Sequence, residues 1–241
     1  MFFDHFLKGI DNRIVDMSPV RLELRETVDT RLVRYENEFP IDRTQYKKLY
    51  LDARTHTMDF HQVPNVEQIA YDSAKGEVVF VYTFKEDTEL AGYMSLNLWV
   101  SPIETNDMDI FITVRKLDAS GKRVPFYDIL GWLRLSCREL NSKLSTPWEP
   151  YPAGIDSLPG VSCEGKVMPG QIVPAQIPIL PSSFVCHKGE TLRLGISGIY
   201  LGNAQNEFGF GNTVNKGDDL MYTGGKYDSY LLVPIIPPKE P

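Results

Sequence analysis

Residues 77–84, Glu77-Val78-Val79-Phe80-Val81-Tyr82-Thr83-Phe84, decide the fold class. The run is β-branched and aromatic almost throughout, the composition that suits a pleated, half-buried surface. Working outward from it, the same signal recurs. Upstream, Val20-Arg21-Leu22-Glu23-Leu24-Arg25 alternates apolar with charged residues, as a strand with one buried face does. Downstream, Leu90–Val100 places Met94, Leu96, Leu98 and Val100 on one face. Asp109–Leu117 places Ile110, Ile112 and Val114 on one face and Phe111 and Thr113 on the other, and Ala119-Ser120-Gly121 then turns the chain.

Further strands are predicted at Gln171–Ile179, Leu192–Ser197 and Tyr230–Ile236. The stretch 131–140 is read as a strand running into a turn, because Leu133, Leu135 and Cys137 alternate. Thr146–Gly170 is rich in Pro and Gly and reads as a long loop, the kind that is functional or packed on a neighbour. Pro234–Pro241 reads as a frayed tail. Short strands between turn signals, with almost no helix, predict an all-β, antiparallel sandwich or jelly roll.

One helix is expected, at the N-terminus. Phe2, Phe3, Phe6, Leu7 and Ile10 recur at helical spacing, with Gly9 near the end. Two readings follow: the segment docks back on its own domain, or it is the last piece of a preceding one.

Composition narrows the function. The chain has 241 residues, 42% of them hydrophobic, enough for one large β-sandwich and too many for a disordered tail. A net charge of -7 without a Lys/Arg cluster disfavours nucleic acid and anionic membranes as partners. No apolar run is long enough to span a bilayer, and Met1–Lys8 lacks the apolar core of a signal peptide, so a cytoplasmic location is expected. Cys137, Cys163 and Cys186 lack metal-ligand spacing and are expected to be reduced thiols.

A search for chemistry finds no catalytic constellation. Gly195-Ile196-Ser197-Gly198-Ile199 lacks the last glycine of a nucleophile elbow and lies in a strand. His56 and His61, five residues apart, fit neither metal-binding spacing. Asp107 and Asp109, with Asn106, could offer oxygens to calcium or could satisfy backbone donors in a polar turn. Trp99 and Trp132 are expected in the core. Trp148, between Pro147 and Pro150, is the one candidate for an exposed sugar-stacking surface. No cofactor or metal is expected.

Five segments in series resemble the CocE/NonD hydrolases, the family of cocaine esterase, X-prolyl dipeptidyl peptidases and α-amino acid ester hydrolases. They are Phe3–Asn12 with Pro19-Val20-Arg21, Glu86–Gly92 with Leu96–Val100 and Asp107–Phe111, Gly131–Leu140, Phe184 with Gly189–Leu194, and Thr223–Pro234. The chain departs from relatives at Cys137, Tyr222 and Tyr230, where they commonly have His, and at Thr83-Phe84, where they have Thr-Pro.

The resemblance implies that residues 1–18 are the exit segment of a missing α/β-hydrolase domain. It implies that residues 19–241 are its C-terminal jelly roll, a galactose-binding-like β-sandwich. The family's Ser-His-Asp triad lies upstream of Phe3–Asn12 and falls on no position here, and His5 belongs to the exit motif. Phe2, Phe3, Phe6 and Leu7 would pack on the missing catalytic domain, and the jelly roll would help wall its acyl pocket. The alternatives are a stand-alone carbohydrate-binding module through Trp148 and an oligomerisation domain forming a homo-oligomer.

Overall fold

The computed structural model describes residues 1–152, 163–200 and 213–238. In chain order the helix α1 spans Phe2–Lys8, followed by strands β1 (Val20–Arg25), β2 (Arg31–Glu36), β3 (Gln45–Asp52), β4 (Thr57–Asp59), β5 (Glu67–Asp72), β6 (Glu77–Thr83) and β7 (Thr88–Pro102). The second half contributes β8 (Asp109–Leu117), β9 (Ile129–Arg134), β10 (Val173–Cys186), β11 (Thr191–Ser197), β12 (Asp218–Thr223) and β13 (Tyr230–Ile236).

Strand pairing closes on itself. β10, β9, β8, β11, β6, β4, β3, β13 and β7 follow one another, and β7 returns to β10. The ring is tightly laddered within two layers and thin where they meet. β9 touches β10 at one pair, Gly131 with Ile179, and β4 touches β6 at one pair, Thr57 with Val81. The result is a barrel-like sandwich. β1 and β2 extend it beyond β10, and β12 and β5 extend it beyond β7.

The antiparallel expectation is corrected at two places. β1 runs parallel to β10 at Arg25 and Phe184, and β4 runs parallel to β6. Neither contact joins strands linked by a hairpin, so the direction of each pair is set by how the chain returns.

The core follows the alternation. Phe80, Leu96, Leu98, Ile110, Ile112, Leu194 and Leu231 are fully or almost fully buried between the layers. A smaller cluster, Leu22, Leu24, Ile41, Ala91 and Ile236, fastens β1 to the ring. The apolar face of the first predicted strand is thereby accounted for.

Two further expectations are corrected. Pro234–Ile236 is not a frayed tail: Pro234 pairs with Tyr46 of β3 within β13, and residues 239–241 lie outside those described. The register of β13 against β7 shifts between Leu232 and Ile235, which accommodates a proline that has no N–H to donate. The three cysteines are not all thiols either. Cys137 and Cys163 form a disulfide, with Cα atoms 5.0 Å apart, and Cys186 alone is free and buried. The fold brings residues 26 apart in sequence into contact, which spacing does not reveal. No helix among the described residues is long and apolar enough to cross a membrane.

Candidate functional site

The N-terminal helix stands out from the sandwich. None of its residues is buried, and Phe3 and Leu7 are 69% and 76% exposed. The rings of Phe2 and Phe6, one turn apart, lie 4.6 Å from each other, and Asp4 pairs with Lys8 at 2.8 Å on the polar side. Gly9, in the left-handed region at φ 68°, ends the helix. Phe2, Phe3, Phe6 and Leu7 all remain exposed.

A second apolar feature arises where β10 bends. Between Ile179 and Ser182 the register against β7 slips by one residue, a bulge that pushes Leu180-Pro181 outward. Leu180 is half exposed. On one side of this ridge is a cleft of about 270 Å³ lined by Tyr93, Leu130, Trp132, Glu149 and Pro178. On the other is a cleft of about 380 Å³ that includes Glu23, Arg25, Phe126, Tyr127 and Asp128. Both clefts share Leu180 and Pro181. The bend needs β9 close to β10, and Gly131 permits it: a Cβ there would sit 2.6 Å from the Pro178 carbonyl oxygen.

Glu149 is the one acid among the described residues that line the first cleft. Burial holds its carboxyl above the usual carboxylate range, and no cation pairs with it among the described residues. It is carried on the turn Thr146–Glu149, closed by the Thr146 N–H donating to the Glu149 carbonyl at 3.0 Å. The same turn places Trp148 flat on Tyr46, with ring centroids 5.2 Å apart and planes 14° from parallel. Trp148 is therefore half-buried against its own domain, as are Trp99, packed on Tyr227, and Trp132, packed near Phe111.

The other sequence candidates settle into structural roles. The Ser197 hydroxyl donates to the Ile199 carbonyl at 2.7 Å, and the residue is buried. His61 contacts Asp59 beside it at 2.5 Å, and His56 Nδ1 lies 3.2 Å from the Val79 carbonyl. Asp109 takes the Arg134 guanidinium on both oxygens at 2.8 Å and the Val214 N–H at 2.9 Å. Asp107 Oδ1 accepts from the Met108 and Ser136 backbone N–H groups at 3.0 and 2.8 Å. These bonds are those of the polar-turn reading. No group of three or more metal-binding side chains occurs among the described residues.

Leu180, Pro181, Tyr127 and Glu149 escaped sequence reading. The signal that was present is the recurrence of Pro174, Pro178 and Pro181 within one stretch, which marks a strand with three positions unable to donate.

Comparison with known proteins agrees with this picture. Residues 12–232 match the X-Pro dipeptidyl-peptidase C-terminal non-catalytic domain. The chain belongs to that family, within the CocE/NonD hydrolases. The chain superposes on a CocE/NonD family hydrolase from Staphylococcus aureus with a TM-score of 0.88 at 36% identity, covering 98% of this chain and 44% of that one. It shares its fold with an aminopeptidase from the marine sediment archaeon Thaumarchaeota archaeon (TM-score 0.64, 14% identity, 98% and 43% coverage). It shares it also with an α-amino acid ester hydrolase (TM-score 0.63, 16% identity, 97% and 43% coverage). No curated protein sequence matches it. The domain thus spans less than half the length of these solved relatives.

Proposed function

We propose that this jelly-roll domain packs on an upstream α/β-hydrolase catalytic domain and helps wall its substrate pocket. The observation that carries the reading is the pair of exposed apolar features. The Phe2–Leu7 helix and the Leu180-Pro181 ridge are large apolar surfaces of the kind that mark interaction sites. The 44% coverage of the Staphylococcus aureus hydrolase supports it too, because that chain is long enough to hold a further domain. The reaction is hydrolysis of small esters or N-terminal X-Pro peptides through an acyl-enzyme, with the Ser-His-Asp triad supplied by the partner domain. This domain contributes surface and water exclusion. Glu149, desolvated and without a cation partner among the described residues, is a group that could face a cationic partner side chain or substrate amine.

Two experiments test the proposal. A fluorophosphonate probe and p-nitrophenyl acetate turnover on the 241-residue chain should both give nothing. Stoichiometric labelling of one serine would overturn the non-catalytic reading. In the hydrolase that carries this domain behind its catalytic part, Leu180→Glu should raise KM or lower Tm. Unchanged kinetics and melting would refute docking through the ridge.

A further inference from the structure

We propose that Cys137–Cys163 is a reversible redox clasp whose acidic rim favours cationic and neutral thiols over anionic ones. Cys137 ends the short 3-10 turn Leu135–Cys137 behind β9 and is buried, while Cys163 is half-buried. The segment after Cys163 does not depend on the sulfur bond for its place. The Cys163 N–H donates to Ser136 Oγ at 3.3 Å, the Arg138 guanidinium donates to the Gly165 carbonyl, and the Val167 N–H donates to the Asn106 carbonyl at 2.9 Å. Gly165 lets this backbone approach closely, since a Cβ there would lie 2.5 Å from the Ser136 carbonyl. These ties keep the two sulfurs adjacent after reduction, so the bond can be remade.

A cleft of about 240 Å³ is lined by Ser136, Cys137, Glu139, Cys163, Glu164 and Gly165, so an incoming thiol approaches the bridge from the half-buried Cys163 side. Glu139 and Glu164 are exposed, and neither has an ion-pair partner among the described residues. The Arg138 guanidinium, held against the Gly165 carbonyl, offsets part of this charge, and the remaining negative field repels an anionic thiolate and attracts a cationic one. Cys186 stays outside this chemistry: it is fully buried, and burial pushes its thiol up to about 12.

The exchange is balanced with two monothiols as reductant. One thiolate attacks Sγ of Cys163, the more exposed residue of the pair. The S–S bond breaks, and Cys137 leaves as a thiolate that takes a proton from water. A second thiolate attacks the reagent sulfur of the mixed disulfide and releases Cys163, which is protonated in turn. Two electrons pass to the protein, and the reagent leaves as its disulfide. A low-molecular-weight disulfide runs the same steps backwards.

Thiol counting comes first. Air-equilibrated protein unfolded in denaturant should show one thiol per chain, and three after reduction; three before reduction would overturn the proposal. Reduced protein freed of reagent and given glutathione disulfide should return to one thiol, and failure to do so would refute reversibility. Reduction rates at equal thiolate concentration should then fall from cysteamine to 2-mercaptoethanol to mercaptoacetate, by about 3–10-fold across the series. The spread should collapse in 1 M salt, roughly where screening reaches ~3 Å. It should also collapse in the Glu139→Gln, Glu164→Gln double variant, whose two sites are exposed and carry little of the fold. Equal rates for the three thiols in the parent protein would sink the acidic-rim assignment.

Discussion

Asp219 on β12 stands directly opposite Tyr71 on β5, and neither its carboxylate oxygens nor the Tyr71 hydroxyl has a hydrogen-bond partner among the described residues. Both residues are buried. Burial, aided by the charges of Asp218 and Asp109, pushes the Asp219 carboxyl up to about 7 from an ordinary 3.8. The native chain therefore holds a proton that the unfolded chain releases near 3.8. The stability tied to that proton is fully present below pH 3.8 and is lost as pH rises through about 7. Asp219→Asn should change stability little at pH 4 and raise it at pH 8.5, by an amount on the order of 4 kcal/mol. Thermal melts of both proteins across this range check it, and parallel Tm–pH curves would count against it.

Gly131 is where the two layers close at one corner. Gly131→Ala puts a methyl 2.6 Å from the Pro178 carbonyl oxygen and 2.9 Å from Ile179 Cγ1. Overpacking of this kind costs about 1–3 kcal/mol. Urea unfolding should show a lower midpoint with an unchanged slope.

Arg134 neutralises Asp109 in a fork of two bonds, each 2.8 Å long. Arg134→Met leaves that carboxylate buried and uncompensated, a loss of about 3–5 kcal/mol. Arg134→Met with Asp109→Leu should recover a large part of it, as a double-mutant cycle in urea would measure. Calcium added to the parent protein should leave its Tm unchanged, because the Asp109 oxygens are already occupied.

The exposed helix should be silent in the isolated chain's stability. Phe3→Glu with Phe6→Glu should shift unfolding by less than about 0.5 kcal/mol per site. The same change should reduce binding of a hydrophobic dye and any self-association seen by light scattering. A large fall in Tm would show that the helix is anchored to the sandwich.

Strands with clean alternation were legible in the sequence. β6, β11 and β13 lie where their apolar periods put them. β2 was not, because Leu32 and Tyr35 are about half exposed and no buried face imposes a pattern. β3 hides behind the adjacent Lys47 and Lys48, since only Leu49 and Leu51 of it are buried. β12 puts Asp219 at a buried position, which breaks the expected period. The apolar helix of the candidate site was legible because its spacing is local. The Leu180-Pro181 ridge and the Cys137–Cys163 pair were not, because a bulge against β7 and a contact between distant segments create them.

The ring of strands also dictates an order of events on the ribosome. β13 is the last strand of the described chain, and it lies between β3 and β7, two of the earlier ones. Until Tyr230–Ile236 has emerged, the sheet has a gap with two raw edges and the core beneath it is open to solvent. Folding of this domain must therefore wait for nearly all of its synthesis, while any unit encoded ahead of it has already had time to form.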